Sequence, residues 1–461
     1  MFRETFILPF VEDGGMSFRR RRTLYISTAV IVVLLVFIIS LSVGLSNSAS
    51  PHEDTYAGSQ ALTTAPLIDG HNDLPENLYS KLNNKLAEFN FTENLKEDSV
   101  WGKAACSSCY TDLPRLKTGK VGGQFWVAYT SCDSQYKDSV QLTLRQIDVI
   151  KRLIKAYPDD LELVTKAEDI ETTWKNGKLA SLIGIEGGHS LDSSLAVLRL
   201  YHELGARYVT LTHSCNTPWA DGSPATKEPV HNLTDFGRTI ILEMNRLGMM
   251  VDLSHVSHNV MREVLATTKA PIIFSHSSAY AICDHYRNVP DDVLDLVKTN
   301  NGIVMVNFFS DFVNCNKTRN ATIDDVVAHI NYIRQRIGPT HVGIGADYDG
   351  VDVMPIGLED VSKYPDLFNR LYARNEDEPE WSAEDLENLA GRNLIRVFSA
   401  IEEVAASLAT ESPNEDIIVV EELADAQLAD KLSPGTCQTA EEWSHYVAPT
   451  PEPASNDTTN S

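Results

Sequence analysis

His71 and Asp73 stand two residues apart in the string Asp69-Gly70-His71-Asn72-Asp73, which closes a short apolar run. On an extended segment, residues i and i+2 point the same way, so this pair can grip one ion. Comparable runs end in Glu186-Gly187-Gly188-His189, in His213, in His255, in His276, and in Asp347 and Asp349. Any one of these residues alone is most often structural, satisfied by hydrogen bonds in a folded interior. Their recurrence at the same end of successive runs points instead to a metal site, because imidazole with carboxylate is the ligand set that suits zinc. Glu186 can bridge two ions, since the two oxygens of a carboxylate hold cations about 3.5 to 4 Å apart and neutralise part of their charge. His255 and His276 then complete the second site. Asp347 comes first after its run and is preferred over Asp349, whereas His189 reads as a structural histidine.

Side chains spread this widely in sequence meet only if the runs are parallel strands whose C-terminal ends share one rim. Eight candidate strands are predicted at 66–70, 123–129, 180–185, 208–212, 249–253, 272–275, 303–308 and 341–345. Helical periodicity falls between most of them, at 140–156, 191–204, 235–247, 257–267, 290–299 and 322–337, with a closing helix at 382–408. Strand-then-helix alternation of this length, with no glycine-rich dinucleotide fingerprint after the first strand, predicts an α/β fold of the (β/α)8 TIM-barrel type rather than a doubly wound sheet.

Ahead of the barrel, residues 24–45 are uncharged and mostly apolar, and a helix of that length spans a hydrocarbon core of roughly 30 Å. Arg19, Arg20, Arg21 and Arg22 precede it, which places the N-terminus in the cytosol and the rest outside, a type II arrangement at the plasma membrane. The rival reading is a cleaved signal peptide, and an uncleaved anchor is favoured over it because signal peptides have apolar regions of about 7 to 15 residues. The expected organisation is a cytosolic tail at 1–22, a transmembrane signal-anchor helix at 23–46, a solvated stalk at 47–66, the barrel domain at 67–437 and a disordered acidic tail at 438–461. Seven cysteines suit an oxidising compartment, and the odd count leaves one for a partner chain. Sequons at Asn90, Asn232, Asn316, Asn320 and Asn456 are candidate glycosylation sites there. The formal charge of -25 repels polyanions and excludes nucleic acid as an expected partner.

Long strings in the chain resemble one family, the membrane (renal) dipeptidases among the metal-dependent amidohydrolase barrels. They include IDGHNDLP at 68–75, GGQFWVAYT at 122–130, SLIGIEGGHSLDSSL at 181–195, LTHSCNTPWAD at 211–221, IIFSHSSAYAIC at 272–283 and RNVPDDVL at 287–294. The resemblance implies two zinc ions per subunit, with His71 and Asp73 on one, His255 and His276 on the other, and Glu186 between them. It further implies that His213 binds substrate and stabilises charge on the attacked carbonyl oxygen, that Arg287 holds the substrate carboxylate, and that Asp347 manages protons. The reaction it implies is attack by a hydroxide shared by the two zinc ions on dipeptides with a free C-terminal carboxylate, cysteinyl-glycine types included. Disulfides Cys132–Cys215 and Cys283–Cys315, and a disulfide-linked homodimer through Cys437, are implied by the same resemblance. Cys106 and Cys109 are extra to that pattern, and a local disulfide is favoured over metal binding for them. Glu76 stands where relatives carry Trp, and Phe312 where some carry Tyr, which puts side-chain preference in doubt. Two other readings compete: a different amidohydrolase activity on the same barrel, and a non-catalytic surface module. Arg287 discriminates against the first, and the complete ligand set against the second.

Overall fold

The computed structural model describes residues 57–223, 231–316 and 318–418. The expected cytosolic tail, membrane helix, acidic tail, Cys437 and Asn456 lie outside these residues. Among the described residues no helix is long and apolar enough to cross a membrane.

Strands β1 (Leu67–Asn72), β2 (Val121–Tyr129), β3 (Leu161–Leu163), β4 (Leu179–Glu186), β5 (Ala206–Thr210), β6 (Met250–Asp252), β7 (Ile273–Phe274), β8 (Ile303–Val306) and β9 (Val342–Ile344) run parallel in one sheet. Every residue of β1 and of β4 is buried, as expected for strands covered on both faces. Pairing of β2 with β4, from Gly123 opposite Ala180 to Tyr129 opposite Glu186, closes the order β2-β1-β9-β8-β7-β6-β5-β4 into an eight-stranded barrel. Each predicted strand overlaps one of these eight.

The ninth strand, β3, is absent from the sequence expectation. It pairs with the first residues of β4, Leu161 opposite Leu179 through Leu163 opposite Ser181, on the edge that β5 takes up from Ile183 onward. At three residues it is too short to show a period.

Helices cover the barrel, and several are capped as their sequences foretell. Thr234, Ser257 and Ser194 accept from the backbone N–H groups of Gly237, Val260 and Val197. Two helix expectations need correction. The segment expected at 191–204 is helical only over Leu195–Glu203, because Asp192 and Ser193 adopt left-handed backbone, with φ 45° and 53°. The closing helix is three pieces: Ala383–Glu387, a π turn at Asn388–Arg392, and Asn393–Ser407. The π turn brings Gly391 so close to the barrel that a Cβ would lie 2.4 Å from the Pro66 carbonyl oxygen. Beyond it, Leu394, Val397, Phe398 and Ile401 pack in the cluster that holds Ile68, Met250, Ile303 and Met305. Burying each such side chain contributes about 1.5 to 3 kcal/mol.

The end of the expected stalk is also folded. Residues Ala61–Thr64 form a helical turn, and Ala61, Leu62 and Ala65 are buried. Apolar residues among Ser and Thr were too few to reveal this, since burial here comes from neighbours distant in sequence.

Close approach at the rim depends on Gly345, which follows β9. A Cβ there would stand 1.8 Å from the carbonyl oxygen of Ser275, just after β7. Gly345→Ala is therefore expected to destabilise the fold by about 3 kcal/mol or more through forced backbone shifts. Denaturant unfolding measures this, and an unchanged midpoint would contradict the packing described.

Candidate active site

The strand ends deliver their side chains to one rim, as a parallel barrel requires. His71 and Asp73 follow from β1, Glu186 ends β4, His255 follows β6, His276 follows β7 and Asp347 follows β9. His255 and Asp347 hold left-handed backbone, with φ 66° and 68°, so tight turns rather than extended strand aim them inward. One oxygen, Glu186 Oε1, lies 3.0 Å from His255 Nε2, 3.3 Å from His276 Nε2 and 3.6 Å from His71 Nε2. His71 Nε2 also faces Asp73 Oδ2 at 3.2 Å and Asp347 Oδ1 at 4.0 Å.

Neighbouring groups decide which nitrogen of each ring is free to ligate. The Tyr208 hydroxyl donates to the Gly70 carbonyl at 3.1 Å, which leaves its oxygen to accept from His71 Nδ1 at 3.1 Å. The Ser275 hydroxyl donates to Asp252 Oδ2 at 2.6 Å and accepts from His276 Nδ1 at 2.7 Å. Both rings therefore carry the proton on Nδ1 and turn the Nε2 lone pair to the centre, the usual arrangement around a metal ligand. His71 Nε2 and Asp73 Oδ1 are buried without a hydrogen-bond partner. Buried orphan atoms of this kind call for a cation, and the donor set fits divalent metal.

Without a metal, the same cluster holds protons in the cation's place. Burial alone would depress His71, but Asp73, Glu186 and Asp347 outweigh it and push the imidazole up to about 10. Burial, reinforced by Asp73 and Asp347, raises Glu186 to about 8 against the opposing pull of His71 and Arg287. Metal must displace these protons, so affinity rises with pH as they leave and binding releases them. Titration of the metal-free protein with a divalent ion at neutral pH, in buffers of different ionisation enthalpy, is expected to show proton release. A buffer-independent heat would contradict the protonation assigned to the pair.

Arg287 sits in the loop after β7, 3% exposed, with Nη1 3.5 Å from Ser277 Oγ, Nη2 3.4 Å from the His276 carbonyl oxygen, and its guanidinium 5.3 Å from the centre of the Phe312 ring. Burial presses it below its ordinary value, opposed by Asp347 and Glu186, yet a guanidinium stays charged. His213 stacks on His255 at 4.3 Å, its Nδ1 lies 3.1 Å from Ser214 Oγ, and burial followed by His189 and Arg287 keeps it neutral. With Glu186 and His255 it could also contact a metal. Asn307 donates to Asp347 Oδ2 at 2.8 Å, which leaves Oδ1 toward His71. Burial lifts Asp347 to about 6, with His71 opposing. Asp349 turns away and accepts from the Thr111 hydroxyl at 2.6 Å and the Tyr110 N–H at 3.0 Å. His189 stands outside the cluster, its Nε2 2.9 Å from the Thr130 carbonyl oxygen. Glu76, Tyr129 and Phe312 join these groups around a cavity of about 400 Å³.

Sequence reasoning missed Tyr208, Asp252, Ser275 and Asn307, which orient the ligating side chains. Asp252 carried a signal, an acid closing the apolar run of β6 two residues before Ser254-His255.

The disulfides form as expected: Cys132–Cys215, Cys283–Cys315 and the local Cys106–Cys109. The rim loops that follow β5 and β7 are thereby tied down, since Cys215 follows His213 and Cys283 precedes Arg287.

A closed parallel barrel with imidazoles and carboxylates gathered at its C-terminal rim is the architecture of a metal-dependent hydrolase. A family model for membrane dipeptidases, peptidase family M19, matches residues 58–412. The chain belongs to that family and is a hydrolase acting on dipeptides. Human Dipeptidase 3 is 45% identical over 367 residues, covering 78% of this chain and 70% of that protein. Dipeptidase aclJ of Aspergillus oryzae is 41% identical over 409 residues, covering 86% and 93%. Among solved structures, the metallopeptidase dipeptidase AC superposes with a TM-score of 0.63 at 25% identity, covering 73% of this chain and 98% of that one.

Proposed function

We propose that the chain is an extracellular, membrane-tethered dipeptidase that works with two zinc ions. His71 and Asp73 would hold one ion and His255 and His276 the other, with Glu186 shared. The observation that carries this is Glu186 Oε1 facing three Nε2 atoms within 3.6 Å, two of them on rings whose protons are held on Nδ1. Zinc supplies Lewis acidity, polarising the scissile carbonyl and making the attacking water more acidic.

The protein's own groups do the rest. Arg287 reads the free C-terminal carboxylate with a guanidinium already fixed by Ser277, His276 and Phe312, so little order is lost on binding. His213, neutral and stacked on His255, offers a ring N–H to the carbonyl oxygen as charge builds there. Asp347 takes the proton from the attacking water and passes it to the leaving amine, a task suited to a buried carboxyl pinned through Oδ2 by Asn307 with Oδ1 left toward the cluster. Cysteinyl-glycine types fall in this class, being small, with a free carboxylate, and within the compass of a 400 Å³ cavity.

Placement outside the cell is supported by the arginine-flanked apolar run at 24–45 and by three disulfides, which persist in oxidising compartments. Asn90, Asn316 and Asn320 are exposed and Asn232 is half-buried, so all four are open to glycosylation to some degree. Cys437 is proposed to link two subunits.

Zinc analysis with hydrolysis assays tests the whole reading. The expected result is two zinc ions per chain and cleavage of a dipeptide at least about a hundredfold faster than of its C-terminal amide. Equal rates on acid and amide would leave a metal hydrolase but remove the dipeptide specificity.

A further inference from the structure

We propose that Arg287 couples substrate binding to metal loading: its charge weakens metal binding at the His255–His276 position, and a carboxylate seated on it strengthens that binding. The proposal rests on the reading above of two metal positions and of Arg287 as the partner of the substrate carboxylate.

The two positions differ in charge. Around His71 Nε2 stand three carboxylates, Asp73 Oδ2 at 3.2 Å, Glu186 Oε1 at 3.6 Å and Asp347 Oδ1 at 4.0 Å. The Nε2 atoms of His255 and His276 lie 2.9 Å apart and both face Glu186 Oε1. Among the described residues, the groups able to hold a metal with either of these two rings contain Glu186 as their single carboxylate, and their other members are the imidazoles of His213 and His71. A divalent ion is therefore attracted more weakly there than beside His71.

Arg287 stands next to that weaker position. It follows His276 in the loop after β7, its Nη2 is 3.4 Å from the His276 carbonyl oxygen, and it shares the cavity wall with His255, His213 and Glu186. Being buried, its charge is poorly screened by water or salt. Its hydrogen bonds go to the neutral oxygens of Ser277 and His276, and its buried Nε has no hydrogen-bond partner. The field has the matching direction: after burial, Arg287 is the largest influence holding His255 below its ordinary value, and it acts the same way on His276 and His213. A charge that opposes a proton on these rings also opposes a metal cation beside them. A carboxylate on the guanidinium fork cancels that charge at close range. By linkage, what the carboxylate adds to metal affinity the metal adds to carboxylate affinity, so the substrate completes the loading of the site that cleaves it.

The test titrates the metal-free full-length protein with zinc against a competing chelator. Two binding steps are expected, and the weaker should disappear in His255→Ala. Saturating propionate, a carboxylate without a peptide bond, should tighten the weaker step about tenfold, a usual size for coupling between two sites, and propionamide should leave it unchanged. Arg287→Gln should tighten the same step without propionate and lose the response to it, whereas Arg287→Lys, which keeps the charge, should leave the step as weak as in the wild type. Should Arg287→Gln not fold, the comparison of propionate with propionamide on the wild type decides alone. A weaker step indifferent to propionate overturns the proposal, as does an equal response in the wild type and Arg287→Gln, which would mean that propionate binds the metal directly. Loss of the tighter step in His255→Ala, or a weaker step not tightened in folded Arg287→Gln, overturns it too. In all these cases two bound ions and dipeptide hydrolysis by the wild type uphold the two-zinc dipeptidase. A wild type that binds a single ion overturns both.

Discussion

Under the proposed two-zinc reading, Glu186→Gln is expected to lose at least one zinc ion on dialysis and to lower kcat/KM by about a thousandfold. The substitution keeps the shape and burial of the side chain and removes only its charge. In the native chain one carboxylate oxygen faces Nε2 atoms of His71, His255 and His276 within 3.6 Å, with Asp73 and Asp347 close behind His71. A pair of divalent cations held there would repel strongly in a medium of low dielectric, and a shared anion would offset the repulsion. An amide supplies one neutral oxygen and turns two donor hydrogens toward the cations. Zinc content after exhaustive dialysis, together with steady-state dipeptide hydrolysis, measures both effects. Full occupancy and full rate in the same variant would show that the ions are not bridged by Glu186.

Arg287→Ala should raise KM for dipeptides by about a hundred- to a thousandfold, the loss expected when a buried charge partner is removed. Its guanidinium is buried beneath Phe312 and held by Ser277 and the His276 carbonyl, so no other fixed cation can move into its place cheaply. Arg287→Lys keeps the charge but not the fork, and an intermediate KM is expected of it. The decisive comparison uses a dipeptide amide, which has no carboxylate to lose. Hydrolysis of the amide, slow in the wild type, should be nearly the same in Arg287→Ala. An equal loss on both substrates would mean that Arg287 supports the fold or the metal cluster instead of reading the carboxylate. The Lys and Ala variants together also separate charge from geometry.

Much of the site was legible because its chemistry falls at strand ends. A buried parallel strand is a short apolar run, and the residue type that breaks the run is visible in the sequence. His71, Asp73, Glu186, His255, His276 and Asp347 all interrupt such runs, and all reach one cluster. The choice of Asp347 over Asp349 was less secure, since both follow β9, and left-handed backbone at each, φ 68° and 69°, sends them to different partners. Periodicity does not encode that turn. It also could not show β3, which is only three residues long, nor the folding of residues 61–65 against the barrel.

The sequence by itself determined the alternation of strands and helices, the identity of the groups able to ligate metal, and the family to which the chain belongs, because each is written in local residue type and spacing. Only the tertiary structure decided which nitrogen each histidine presents, through Tyr208 on His71 and the Asp252–Ser275 pair on His276, and which rim position faces which. Those are relations between residues far apart in sequence, 137 positions for His71 and Tyr208, and they exist only after the barrel closes through β2 and β4.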